Sequence, residues 1–182
     1  MYSSLILLFL LIVAFCLILL NIWLFWWASH SIFPFLMGGG PFVPIPTRHI
    51  DTVMELADIH SADTVIDLGS GDGRLLIAAA RASAHEAIGY EIHPGLVARS
   101  VRRIKKESLE NKIRIHRQSF WHADLSSANV VLIYQISYAM KRLEKKLLDE
   151  LPVGARVVSH GFQFPNWKME KVIGNTRVYI KK

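Results

Sequence analysis

Val65-Ile66-Asp67-Leu68-Gly69-Ser70-Gly71-Asp72-Gly73 is the stretch that most narrows what this chain can become. An apolar run ends in three closely spaced glycines, and a helix-forming run, Arg74-Leu75-Leu76-Ile77-Ala78-Ala79-Ala80, follows at once. Strand, glycine turn and helix N-terminus make a cradle for a nucleotide-like ligand, because glycine lets the backbone turn and come close where a side chain would clash. The dinucleotide fingerprint would place glycines at 69, 71 and 74. Position 74 is Arg.

Acidic residues narrow the ligand further. Asp67 stands before the first glycine and Asp72 inside the turn. Both would repel a pyrophosphate, which that fingerprint holds on backbone N–H groups. They suit a ligand with no phosphate and a positive charge. S-adenosylmethionine (SAM) carries an ammonium and a sulfonium and is such a ligand. The spacing D-x-G-x-G-x-G resembles motif I of the class I methyltransferases, so the expected cofactor contacts are Asp67, Gly69, Ser70, Gly71, Asp72 and Gly73. Ala87-Ile88-Gly89-Tyr90 then ends in Glu91. An acid about 20 residues past the turn, at the tip of the second strand, sits where ribose hydroxyls are bound.

The rest of the composition is split. Residues 1–47 contain no Lys, Arg, Asp or Glu, so the 21 basic and 15 acidic residues all lie in 48–182. Leu5 to Ala28 is apolar except for Asn21. As a helix it would be about 36 Å long, enough to cross a hydrocarbon core of about 30 Å with some tilt. Trp23, Trp26 and Trp27 cluster at its C-terminal end, as aromatic side chains do at a membrane interface. Met1-Tyr2-Ser3-Ser4 has no basic side chain, and tryptophans occupy the region where a signal peptide would be cleaved. Residues 1–30 therefore read as a single transmembrane anchor, in contact with the bilayer through 5–28. The nearest basic residues follow the span, starting at Arg48. The positive-inside rule and a cytosolic cofactor put the C-terminal domain in the cytoplasm. With no Arg-rich presequence, the expected membrane is a bacterial inner membrane, the alternative a mitochondrial inner membrane.

Residues 31–47 form a linker, flexible at Gly38-Gly39-Gly40 and stiff over Pro41-Phe42-Val43-Pro44-Ile45-Pro46, since proline fixes φ and restricts its predecessor. The proline run is either a spacer or a segment packed over the cofactor, and composition alone favours the spacer. A net charge of +6 with a pI of 9.6 permits nucleic acid or an anionic membrane surface and chooses neither. The one cysteine, Cys16, builds no disulfide framework, and the eight His residues are scattered without ligand spacing, so no metal is expected.

Residues 48–182 alternate strands and helices. A helix is expected over 48–59, with Thr47 as N-cap and Asp51 in its first turn. Strands follow at 64–68, 86–91, 112–118, 129–134, 153–160 and 177–180, and helices at 73–83, 95–108 and 138–150. The pattern is α/β: a Rossmann-like, mostly parallel sheet covered on both faces, with its ligand at the carboxyl ends of the strands. On helix 95–108, Arg99, Arg102, Arg103, Lys105 and Lys106 form an outer face that is either solvated or turned to lipid or nucleic acid. Ser119 and Phe120 follow the third strand, where class I methyltransferases flank adenine. Tyr134 ends the fourth.

Several runs carry a narrower resemblance. They are Pro41-Phe42-Val43-Pro44, Ile66 to Arg74, Gly89-Tyr90-Glu91 with Pro94-Gly95-Leu96-Val97, Leu143-Glu144-Lys145-Lys146-Leu147, Gly154-Ala155-Arg156-Val157-Val158 and Phe162-Gln163-Phe164-Pro165-Asn166-Trp167. Together the chain resembles the membrane-anchored seven-β-strand protein-lysine methyltransferases, similar to those that modify the ATP synthase c subunit and the adenine nucleotide translocase. The resemblance covers about residues 41–168. It departs at His93-Pro94, where the family has Asn-Pro. It implies a class I SAM-dependent methyltransferase fold with a seven-stranded sheet, a SAM cofactor, and a lysine substrate on a membrane-associated protein, the ATP synthase c subunit among the candidates. It also implies that residues 41–47 belong to the functional core, which reverses the spacer reading. Glu91 would hold ribose, Asp67 and Asp72 the methionine end, and Ser119 and Phe120 adenine. Tyr134, Phe42 and Pro44 would shape the lysine channel. Nucleic acid is not expected as a partner, because Tyr134-Gln135-Ile136-Ser137 lacks the Asn/Asp-Pro-Pro-aromatic run of exocyclic-amine enzymes. A lipid or small-molecule methyltransferase and a non-catalytic SAM-binding protein are the alternatives.

Overall fold

The computed structural model describes residues 2–36 and 42–182; the linker glycines Gly38–Gly40 and Pro41 lie outside them. The chain divides into two compact units, Met1–Pro41 and Phe42–Lys182. In the first, helix α1 runs Tyr2–Leu36 and contains the apolar span Leu5–Ala28. It continues into the first residues expected as linker. Side chains from Leu5 to Trp27 are all exposed. Asn21 turns its amide onto the carbonyl of Leu17 at 2.8 Å, so the one polar amide of the span is satisfied by the helix itself.

The second unit is one seven-stranded sheet with helices on both faces. Its elements are α2 (Thr47–Ala57), β1 (Thr64–Leu68), α3 (Arg74–Arg81), β2 (Glu86–Tyr90), α4 (Pro94–Lys106), β3 (Ile113–His116), β4 (Val130–Ile133), α5 (Ser137–Glu150), β5 (Arg156–His160), β6 (Lys171–Ile173) and β7 (Thr176–Ile180), with a 3-10 turn at Phe120–His122. The strand order is β3-β2-β1-β4-β5-β7-β6. β7 runs antiparallel to β5 and β6, and the other pairs are parallel. The order reverses between β1 and β4, which opens a crevice at their carboxyl ends. Alternate residues feed two cores. Val65, Val130, Leu132 and Val158 pack with α2 and α3. Ile66, Leu68, Val131, Ile133 and Val157 pack with α5 and the Phe120 turn. Strands buried on both faces explain the unbroken apolar runs.

Two local expectations are corrected. Pro46, not Thr47, is the N-cap of α2, with no side-chain capping bond, and Asp51 falls beyond the first turn. Proline's fixed φ does the terminating that a hydroxyl was expected to do. The seventh strand is β6, which the pattern of residues missed. It is three residues long and exposed throughout, so no alternation marks it. Its signal is the two-residue turn Gly174-Asn175, with Gly174 at φ +54°, a favoured hairpin connection into β7.

Candidate cofactor and acceptor site

The glycine turn leaves β1 at Leu68 and is tied down by β2: Gly69 and Ser70 N–H both donate to the Tyr90 carbonyl at 3.0 Å. Gly69, Gly71 and Gly73 have φ of +94°, +55° and +78°. A Cβ on Gly71 would lie 2.6 Å from Phe42 Cε2, and one on Gly73 would lie 2.2 Å from Ser100 Oγ. The turn is thus closed on one side by a phenyl ring and packed onto α4 on the other.

Three carboxylates meet at this turn in different circumstances. Glu91 accepts from Gly71 N at 2.9 Å and from His93 N at 2.7 Å. Each of its oxygens keeps a second lone pair for a ligand hydroxyl. Asp72 is buried and engaged by two guanidiniums: Arg74 binds both its oxygens at 2.9 and 2.7 Å, and Arg103 reaches it at 2.7 Å. Burial alone would raise its pKa; the bonds from Arg74 and the charge of Arg103 prevail and hold it below the usual carboxylate range. The charge of Asp72 is thus already paired within the turn. Asp67 is 3% exposed, and burial, reinforced by Glu91 and Asp72, pushes its pKa up to about 8. Its carboxyl has no hydrogen bond or ion pair among the described residues. It is the acid left to meet a cation.

Ser119 follows β3 and is drawn beside Glu91, because Gln118 N donates to the Glu91 carbonyl at 3.1 Å. Phe120 is a core residue, 6% exposed, with its ring 4.7 Å from Trp121. The 3-10 turn packs that ring into the second core.

The proline run packs onto this unit. Ile45 is buried in the first core, and its carbonyl accepts from Arg74 Nη1 at 2.7 Å. One arginine therefore joins the turn, through Asp72, to the segment carrying Phe42 and Pro44. Tyr134 follows β4 and meets His160 edge-on at 5.2 Å, and His160 in turn lies 4.9 Å from His49. Burial, then the neighbouring charges of His49 and Arg177, hold His160 below the usual histidine range. Gln135 was missed. Its amide donates to the Leu68 carbonyl at 2.8 Å, and a Cβ on Gly69 would strike it at 2.3 Å. Only its place directly after Tyr134 at the end of β4 hinted at this.

A reversed parallel sheet with an antiparallel seventh strand, a glycine turn at the switch point and an unpartnered buried carboxyl define a class I SAM-dependent methyltransferase domain. The fit to SAM rests on Asp67, a buried acid suited to an ammonium, and on a turn that only glycines can make at positive φ at the carboxyl end of β1. Residues 67–171 match the ANTKMT methyltransferase domain, and the chain belongs to that family. The lysine N-methyltransferase of Rattus norvegicus named for the ATP synthase c subunit is 37% identical over 134 residues, 74% of this chain and 61% of that protein. A protein-lysine N-methyltransferase of Saccharolobus islandicus is 34% identical, over 73% of this chain and 83% of that one. The chain spans about three-fifths of the length of the rat relative. A solved RNA methyltransferase from Salinibacter ruber, in complex with S-adenosyl-L-homocysteine, superposes with a TM-score of 0.71 at 33% identity, over 76% of this chain and 92% of that one.

Proposed function

We propose that this protein methylates lysine side chains of a membrane protein, with the ATP synthase c subunit as first candidate, and that the Leu5–Ala28 span holds it in the membrane. The observation that carries the reading is the Phe42–Pro46 segment fixed against the glycine turn through Arg74, Ile45 and Phe42. It puts an apolar wall beside the cofactor cradle. The relatives named for lysine methylation support the acceptor.

SAM supplies an electrophilic methyl group when bound. Asp67 would hold its ammonium, Glu91 its ribose hydroxyls and Ser119 its adenine, while Ser70 and the three glycines form the cradle and Asp72 fixes the turn through its arginines. A lysine amine must lose a proton to react, and its reference pKa is near 10.4. Apolar walls near a positive sulfonium disfavour the ammonium form, so Phe42, Pro44 and Tyr134 would favour the neutral amine as well as position it. Alignment of the amine supplies much of the acceleration.

The test is methyl transfer from labelled SAM to membranes lacking this protein, with the Glu91→Ala variant as blank. Label on lysine in one protein band is the expected result, and the band identifies the substrate. Label in the lipid extract or in RNA overturns the acceptor assignment.

A further inference from the structure

The outer face of α4 carries more positive charge than the fold consumes. Arg74, Arg99, Arg102, Arg103 and Lys106 line one open groove of about 560 Å³, and Asp72 is the acid among its lining residues. Asp72 is committed to Arg74 and Arg103. Glu107, just past the helix, is taken by Arg81. Among the described residues no carboxylate pairs with Arg99, Arg102 or Lys106. Ala98, one helical turn before Arg102, is exposed at the edge of this face. Three guanidinium or ammonium groups free of acids on one helix face match the phosphodiester groups of a headgroup layer. The same chain supplies an apolar span long enough to cross a bilayer.

We propose that this α3–α4 groove docks on anionic phospholipid headgroups. The partner is a lipid surface rather than a soluble phosphate, because a tethered domain meets that surface at high effective concentration and the charges sum across many headgroups. The proposal rests on the membrane reading of the span, and its test separates the two.

The full chain, with Cys16→Ala and Ala98→Cys, is labelled at position 98 with an environment-sensitive fluorophore. It is reconstituted in vesicles of phosphatidylcholine alone or mixed with phosphatidylglycerol. The expected result is a blue shift in the mixed vesicles, reversed by salt, and absent in neutral ones. In the Arg99→Gln, Arg102→Gln, Lys106→Gln variant the docked population should fall by roughly a hundredfold and the shift with it. Arg103 is kept because it holds Asp72. Equal emission in both vesicle types, or a shift retained in the triple variant, overturns the proposal. So does a shift produced by single-stranded RNA in neutral vesicles without one from anionic lipid. Resistance to a carbonate wash reports the span separately: insertion without a shift sinks the docking alone, and a shift without insertion sinks the anchor alone.

Discussion

Asp67 is where the chemistry of this site can be read from a single proton. Its neighbours have partners: Asp72 two arginines, Glu91 two backbone N–H groups. Asp67 has only burial and the repulsion of those two acids, which raise its pKa to about 8. In the unfolded chain the same carboxyl ionises near 3.8. Between those values the folded protein holds a proton that the unfolded chain has released, so the stability of the free protein declines as pH rises through that window. A ligand ammonium reverses the preference. Binding SAM near pH 7 should therefore expel close to one proton, read as a calorimetric enthalpy that changes with the ionisation heat of the buffer. Affinity should rise with pH up to about 8. In Asp67→Asn the proton release should vanish, SAM should bind more weakly, and the free protein should lose this pH dependence. Buffer-independent enthalpy in the wild type would mean that Asp67 does not change protonation when SAM binds, and would overturn this prediction.

At the scale of elements, the Phe164–Trp167 loop turns a sequence signature into a structural joint. Glu144 of α5, 5% exposed, accepts from Asn166 N at 2.9 Å, Asn166 Nδ2 at 3.1 Å and Trp167 N at 3.3 Å. Phe164 and Trp167 then pack on Tyr179 of β7 at 4.8 and 5.5 Å. Glu144→Ala would orphan two backbone donors and should cost about 2–4 kcal/mol of unfolding free energy, while Glu144→Gln, which keeps one acceptor, should cost about half as much. Denaturant unfolding followed by circular dichroism checks both, and equal losses would show that the charge rather than the geometry is what matters. This joint also shows where sequence reading stops. β1, β2 and the glycine turn were legible because apolar runs and glycines report local rules directly. The partners of Glu144, the Arg74–Ile45 bond and the seat of Gln135 over Gly69 were not, since each joins residues far apart in the chain. Thr47 misled for a related reason: its hydroxyl offered a cap, but Pro46 already sets the helix start.

For the whole molecule, the sharpest contrast is between a charge-free helix whose side chains from Leu5 to Trp27 are exposed and a domain that carries all the charge. An exposed apolar helix of this length is stable in water only when something covers it. The two coverings differ in consequence: a bilayer keeps the helix attached to the domain, whereas processing as a signal sequence removes it. Leu11 and Leu17 are 59% and 53% exposed within the span. Replacing both leucines with arginine should cost about 6–8 kcal/mol of insertion on the translocon scale. The Leu11→Arg, Leu17→Arg chain should move from the carbonate-resistant fraction to the soluble one at full-length mass. Wild-type protein found soluble and shortened at its N-terminus would refute the anchor. SAM binding should survive in the double variant, because every cofactor contact assigned here lies in Phe42–Lys182. Methyl transfer to a membrane protein should fall, because tethering confines enzyme and substrate to one surface and raises their effective concentration. If transfer continues at the wild-type rate, substrate choice resides in the Phe42–Pro46 wall, and the span contributes location alone.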